Sequence, residues 1–187
     1  MLFSKIFAAG ALMATTAIAA LSPAQIADGL KRVTDLSQQL QAPAQSITIV
    51  NAPLIVIGQG PFPQIIRGLT EIVTTASVTI AQLDGTSPIT AEADATLIFN
   101  AFRAFVRVHQ ALLNILIGKA GIITSVPVVG QPIAAVLRQV EGVVDTIAIG
   151  LINLVESRSQ DLTSEANSLG NTLDLAIQKY EGLQLNI

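Results

Sequence analysis

The stretch that decides the fold spans residues 90–121 and reads TAEADATLIFNAFRAFVRVHQALLNILIGKAG. Its polar side chains recur in alternating steps of four and three residues, which is the spacing of one side of an α-helix. The members of this polar stripe are Thr96, Asn100, Arg103, Arg107, Gln110 and Asn114. Nearly all the remaining positions between residues 97 and 117 are apolar. A helix that is apolar over most of its girth must be covered on several sides, so the stretch predicts the central helix of a helical domain.

Four further segments, on both sides of this stretch, carry apolar residues at helical spacing. The first opens at Ser22-Pro23, a pattern typical of an N-cap and a first-turn proline. It continues to Ile57 as one kinked helix or two short ones, because Pro43 and Pro53 interrupt it. The others span about 62–83, 132–158 and, after a short turn at 159–161, 162–183; Thr90 is expected to cap the central helix. The prediction is an all-α, up-and-down bundle of about five amphipathic helices with short loops.

The segment 62–83 contains a local conflict. Thr74, Thr75, Val78 and Thr79 favour a strand when they are considered alone. Ile65, Leu69, Ile72, Ala76 and Ile80 keep the helical period across the whole segment. Because intrinsic propensity is a weak prior against a long periodic pattern, we expect a helix here.

Composition argues against catalysis. The 187 residues carry a net charge of −3, are 51% hydrophobic, and include one His and no Cys. The single histidine, His109, lies among apolar neighbours, and no nucleophile or acid cluster is placed around it, so a packed or partly exposed helical side chain is expected. The carboxylates occur singly, at caps and on outer faces, which does not favour paired-acid chemistry or calcium loops. We therefore predict no enzyme, no cofactor, no metal site and no nucleic-acid partner.

The N-terminus resembles an export signal. Lys5 precedes a short apolar run at residues 6–18, and Ala17-Ile18-Ala19 is a small-residue cleavage site. An N-terminal anchor helix is the alternative, but the apolar run is short for a bilayer. The expectation is a cleaved signal peptide at residues 1–19 and a helical domain at 20–187. That domain would be secreted without disulfides, and no later segment is expected to span a membrane.

The polar stripe permits two interpretations. Arg103 and Arg107 lie four residues apart, and two guanidinium groups could hold an anionic head group. Alternatively, the stripe is a solvated face over which the arginine stems lie. The solvated face is preferred because polar stripes usually face water.

Two connections are unusually apolar. In an up-and-down bundle, the connection at 58–63 and the one at 122–132 fall at the same end, whereas the polar turns 84–88 and 156–161 fall at the other. The apolar residues include Leu54, Val56, Ile57 and Phe62 in one connection, and Val126, Val128 and Val129 in the other. Such an end could be a ligand portal or a tip that adheres to surfaces. Equally, these residues could fold inward and cap the core.

The facing apolar positions are the candidate ligand site. A bundle lined by aliphatic side chains can admit an alkyl chain if packing leaves room between the helices. The residues predicted to line such a site are Ile66, Leu69, Val73, Phe102, Val106, Leu113, Leu116, Val140, Val144 and Ile147.

The stretch FVRVHQALL at residues 105–113, followed by Lys119, resembles the central helix of the fungal hydrophobic-surface-binding protein A family, also called cell-wall galactomannoproteins. The signal peptide, the Cys-free helical domain and the polar turn before Thr90 also fit that family. The resemblance implies a secreted or wall-associated, non-catalytic protein. Such a protein binds hydrophobic surfaces or fatty-acid-like lipids, and it can recruit secreted hydrolases to apolar substrates. The alternative is a structural wall mannoprotein whose bundle is only a scaffold.

Overall fold

The computed structural model describes residues 20–125 and 130–182; the predicted signal peptide at 1–19 therefore lies outside the described residues. Every long element in these ranges is an α-helix. The helices are α1 (Pro23–Gln45), α2 (Pro61–Leu83), α3 (Glu92–Lys119), α4 (Gly130–Leu154) and α5 (Ser159–Glu181). Short 3-10 turns follow α1, α3 and α4 at Ala52–Ile57, Ala120–Ser125 and Glu156–Arg158. The predicted all-α bundle of about five helices is confirmed.

The start of α1 follows the sequence pattern, and its end departs from it. The Gln25 amide donates to the Ser22 hydroxyl at 3.3 Å, and the Gln25 side chain accepts from the Ser22 amide at 2.8 Å, which completes a capping box. The helix runs through Pro43 but ends two residues later. A second long helical piece up to Ile57 does not form; only the 3-10 turn Ala52–Ile57 does. Pro43 lacks an amide donor but is accommodated inside α1, and Pro53 lies at the start of the 3-10 turn, where the missing donor costs little.

The threonine-rich part of α2 is helical, as predicted. Thr74 donates its hydroxyl to the Thr70 carbonyl at 3.0 Å, and Thr79 does the same to Thr75 at 3.2 Å. Such bonds to the preceding turn absorb the hydroxyl groups within the helix. At the start of α3 the prediction was wrong in detail, because Ala91 rather than Thr90 is the N-cap and it makes no side-chain bond.

The helices form a ring in the order α1, α2, α4, α5, α3, and each packs against the two beside it. α1 and α3 are parallel, since Ser37 of α1 meets His109 of α3, and Ile47, just after α1, meets Lys119 at the end of α3. Chain direction alternates along the sequence, as in an up-and-down bundle. However, α2 to α3 and α3 to α4 are not neighbours in the ring. Their connections must therefore cross the ends of the bundle.

The crossing connection 84–91 closes one end. The Leu21 amide donates to the Thr86 hydroxyl at 3.1 Å, and the Ile89 amide donates to the Leu154 carbonyl at 2.8 Å. These bonds tie the connection to the start of α1 and the end of α4. The connection carries the chain across the end of the bundle. As a result, α3 lies across the central axis from the parallel pair α2 and α4. A ring of five helices encloses a wider axis than a four-helix bundle, and side chains fill it here.

Candidate functional site

The ten residues predicted to line a ligand site all lie on α2, α3 and α4, the three helices that face one another across the axis. Eight of them are fully buried in the core: Leu69, Phe102, Val106, Leu113, Leu116, Val140, Val144 and Ile147. Ile66 and Val73, both on α2, are half-buried and pack against that core. The ring therefore brings the predicted set into one aliphatic interior, with Ile66 and Val73 nearest the surface.

A polar side chain lies on the same face of α3. His109 is fully buried one turn from Val106 and Leu113, and its ring centroid lies 5.4 Å from that of Phe105. Its Nδ1 lies 2.9 Å from the Ser37 hydroxyl of α1, which in turn lies 2.9 Å from the Val33 carbonyl. Ser37 has one hydroxyl proton and Val33 offers only an acceptor. We therefore assign the tautomer in which Nδ1–H donates to Ser37.

This arrangement leaves His109 Nε2 as a bare acceptor. It has no hydrogen-bond partner among the described residues. Burial away from water lowers the pKa of His109 to about 4, because the charged form would lose its hydration. The histidine is a packed core residue, as predicted from the sequence. In addition, Nε2 offers a hydrogen-bond acceptor to any group that enters the core.

The polar stripe of α3 does not face water as a whole, so the preferred interpretation was only half right. Asn100, Arg107 and Asn114 are exposed. The other three members form a seam with α5 and the 3-10 turn before it: Thr96 accepts from Arg158 at 3.0 Å, Arg103 pairs with Glu165 at 3.3 Å, and the Gln110 amide donates to the Thr172 hydroxyl at 3.1 Å. Each pair lies seven residues beyond the last on both sides of the seam, so parallel packing repeats the contact every two turns.

The seam also bears on the proposed clamp of Arg103 and Arg107. Arg103 pairs with Glu165, whereas Arg107 is exposed. A carboxylate of this chain therefore already engages Arg103, which does not favour the pair as a clamp for one anionic head group.

Carboxylates are less isolated than the sequence suggested. Glu141 and Asp145 of α4 share a cleft of about 620 Å³ with Asp174 of α5. Burial and the neighbouring Asp174 raise the pKa of Glu141. The expectation of single, separated acids was wrong here, because Asp174 comes from another helix. Among the described residues, however, no group of three or more His, Cys, Asp or Glu side chains is placed to hold a metal ion.

The two apolar connections do share an end of the bundle. The 3-10 turns Ala52–Ile57 and Ala120–Ser125 contact each other, and the Lys119 ammonium donates to the Ile47 carbonyl at 2.8 Å. Ile47 and Ala52 fold inward and cap the core, whereas Val50 and Val56 are 88% and 72% exposed. Both proposed roles, inner cap and exposed tip, are thus present in one connection. Val126, Val128 and Val129 lie outside the described residues.

The sequence reasoning missed a cleft at the opposite end. It measures about 510 Å³ and lies between the ends of the parallel helices α2 and α4, beside the connection 84–91. Its apolar lining includes Ile80, Leu83, Pro88, Ile149 and Leu154, and none of the ten predicted site residues. The available sequence signal was Ile149, an apolar residue outside the helical spacing of the inward positions of α4. The structure exposes it.

These features define a class of protein: an all-helical, five-helix ring with a continuous aliphatic core. Within the described ranges, no helix is long and apolar enough to cross a membrane. The chain matches no protein-family model and no curated protein.

Solved structures that share the fold include two complexes with fatty acids. One is AfMp4p in complex with palmitic acid, with a TM-score of 0.74, 16% identity, and coverage of 85% of this chain and 99% of that one. The other is ligand-binding domain 1 of the Penicillium marneffei MP1 protein, complexed with arachidonic acids. Its TM-score is 0.73 at 12% identity, with the same coverage of both chains. At these identities the likeness is one of fold.

Proposed function

We propose that this protein is a secreted, non-catalytic lipid-binding protein whose ligand is a long-chain fatty acid or a related lipid. The observation that carries the proposal is the aliphatic interior shared by α2, α3 and α4. The same fold holds palmitic acid in AfMp4p and arachidonic acids in the MP1 domain, which supports the assignment. Membership of the fungal hydrophobic-surface-binding and galactomannoprotein family is part of this proposal. So are binding to apolar surfaces and the recruitment of secreted hydrolases.

The energetics favour a long alkyl chain over a short one. Each buried methylene contributes about 0.8 kcal/mol, so affinity grows with chain length until it exceeds the cost of ordering ligand and helices. The interior offers few polar groups that would reward a small polar ligand. Ile66 and Val73 reach from the core to the surface of α2, so a chain could enter beside them when α2 and α4 separate.

The test is the melting temperature of the protein with palmitic acid and with butyric acid. A ligand at a hundred times its dissociation constant stabilises the fold by about 2.7 kcal/mol, which for a domain of this size is a rise of roughly 5 to 10 °C. We expect that rise with palmitic acid and none with butyric acid. Mass spectrometry of lipid extracted from the purified protein gives a second readout.

Matched variants locate the site. Val140→Phe fills the core and should abolish the rise, whereas Val78→Phe makes the same change at an exposed position of α2 and should keep it. If Ile149→Ser abolishes the rise instead, the ligand lies in the cleft beside the connection 84–91. If no long-chain lipid changes the melting temperature or is extracted, the lipid-binding proposal fails. The structural wall mannoprotein with a scaffold bundle would then be the better description.

A further inference from the structure

The connection between α1 and α2, residues 46–60, forms an apolar tip on the bundle. Four of its aliphatic side chains are largely exposed: Val50, Val56, Ile49 and Ile57 are 88%, 72%, 70% and 66% exposed. No charged residue occurs between Asp35 and Arg67, a stretch that includes the whole tip. Monomeric soluble proteins rarely expose a contiguous apolar surface of this kind without a partner for it.

Several polar groups of the tip are paired within the chain. The Asn51 side chain accepts from the Thr48 amide at 2.8 Å and donates to the Ser46 carbonyl at 2.7 Å. The Gln59 amide donates to the Leu54 carbonyl at 2.9 Å, and Lys119 ties the tip to α3 through Ile47. Each such bond lowers the cost of moving the loop into an apolar medium, because a paired backbone group is not left without a partner there.

Charge is distributed unevenly along the bundle. We count charges in the nine residues of each helix that lie nearest the tip. This zone contains two acidic residues and four basic ones, which are Arg67, Lys119, Arg138 and Lys179. Arg138 pairs with Glu181 across α4 and α5. At the other end we count the nine terminal residues of each helix and the connections between them. This zone holds two basic residues, Lys31 and Arg158, and seven acidic ones: Asp28, Asp84, Glu92, Asp94, Glu156, Asp161 and Glu165. We call the four basic residues at the tip end the cationic collar.

We propose that the tip docks into a lipid bilayer that contains anionic lipids, with the bundle axis along the membrane normal. Ile49, Val50, Val56 and Ile57 enter the acyl region just below the head groups, and the collar lies at head-group level. The collar attracts negative lipids, while the acidic far end is repelled and held away. The inference deepens the surface-binding part of the proposed function by naming the surface, and it does not require a fatty acid in the core.

The experiment is co-sedimentation of the intact protein with vesicles of phosphatidylcholine, with and without phosphatidylglycerol. We expect binding to both, with stronger binding when phosphatidylglycerol is present. Replacing the four exposed tip residues with serine should weaken binding at least tenfold, since it removes most of the inserted apolar surface. The matched control replaces exposed aliphatic residues outside the tip with serine, and it should bind like the parent. Those control positions are Val78, Leu97 and Leu175.

The collar has its own control. Arg67→Gln with Lys179→Gln should lower binding to phosphatidylglycerol vesicles about fivefold per charge and leave phosphatidylcholine binding nearly unchanged. Lys31→Gln with Arg32→Gln, at the far end, should not lower it. Circular dichroism confirms that each variant is folded; all of these side chains are on the surface.

Three results would overturn the inference. The parent could sediment with neither vesicle, or the tip variant could sediment as the parent does. The tip could also mediate a dimer, seen as a concentration-dependent mass in sedimentation that the tip variant loses. The melting rise with palmitic acid separates this inference from the proposed function. If the parent does not bind vesicles but the tip variant keeps the melting-temperature rise with palmitic acid, membrane docking alone is refuted. If the parent binds vesicles but shows no such rise, core binding alone is refuted.

Discussion

Lowering the pH should destabilise this protein through His109. Burial lowers the pKa of that histidine from 6.5 to about 4, so the unfolded chain binds a proton more readily than the folded one. The stabilisation is fully present above pH 6.5 and is lost as the pH falls towards 4, because protonation then favours unfolding. With about 1.36 kcal/mol for each unit, the free energy of unfolding should fall by about 3 kcal/mol across that window.

The assay is urea unfolding at a series of pH values, followed by circular dichroism. His109 is the only histidine in the chain, so no other imidazole contributes. Carboxylates also titrate near pH 4, so their contribution must be separated from that of His109. The His109→Phe variant allows this comparison, because it keeps a ring against Phe105 but cannot bind a proton. His109→Gln is a second non-titrating control.

The result is the difference between the curves. The parent should lose about 3 kcal/mol more than either variant between neutral pH and pH 4. Parallel curves for the parent and both variants would refute the argument. A histidine resonance that titrates near its ordinary pKa in the folded protein would refute it as well.

Two further predictions follow from the structure and the sequence. Gly68→Ala should destabilise the fold by about 1–3 kcal/mol, because the added methyl group would overlap the Leu40 side chain where α1 and α2 approach closely. Gly142→Ala, inside α4 with open space around it, should instead stabilise the fold by about 0.5–1 kcal/mol in the same urea titration; equal effects of the two changes would contradict the packing assigned to α1 and α2. N-terminal sequencing of secreted material should begin at Ala20 or Leu21, and a secreted form that retains Lys5 would overturn the signal-peptide prediction.

Much of the architecture was predictable because helical periodicity is local. The spacing of apolar residues identified the helical segments, including the threonine-rich part of α2, and it assigned Leu69, Val106 and Val140 to the core. The parity of an up-and-down chain placed the two apolar connections at one end. These properties depend on residues a few positions apart or on counting helices. The boundary of α1 was missed because two prolines allowed either a kink or a stop.

The candidate site shows where prediction stopped. The sequence supplied its aliphatic members, but it did not reveal that Ser37 would meet His109, or that Asp174 would join Glu141 in one cleft. Both pairings join different helices across the ring. The same is true of the polar stripe, because half of its side chains make polar contacts with α5 or the turn before it.

Only the tertiary structure decided the order of the helices around the ring. Periodicity shows that each helix has an apolar face, but several neighbours can cover such a face about equally well. The connection 84–91 settles part of the question, because its bonds to Leu21 and Leu154 carry the chain across the bundle instead of turning back on α2. The sequence by itself therefore determined the helices and what they bury. Which helices meet depends on how all five faces are covered at once, and that is a property of the whole chain.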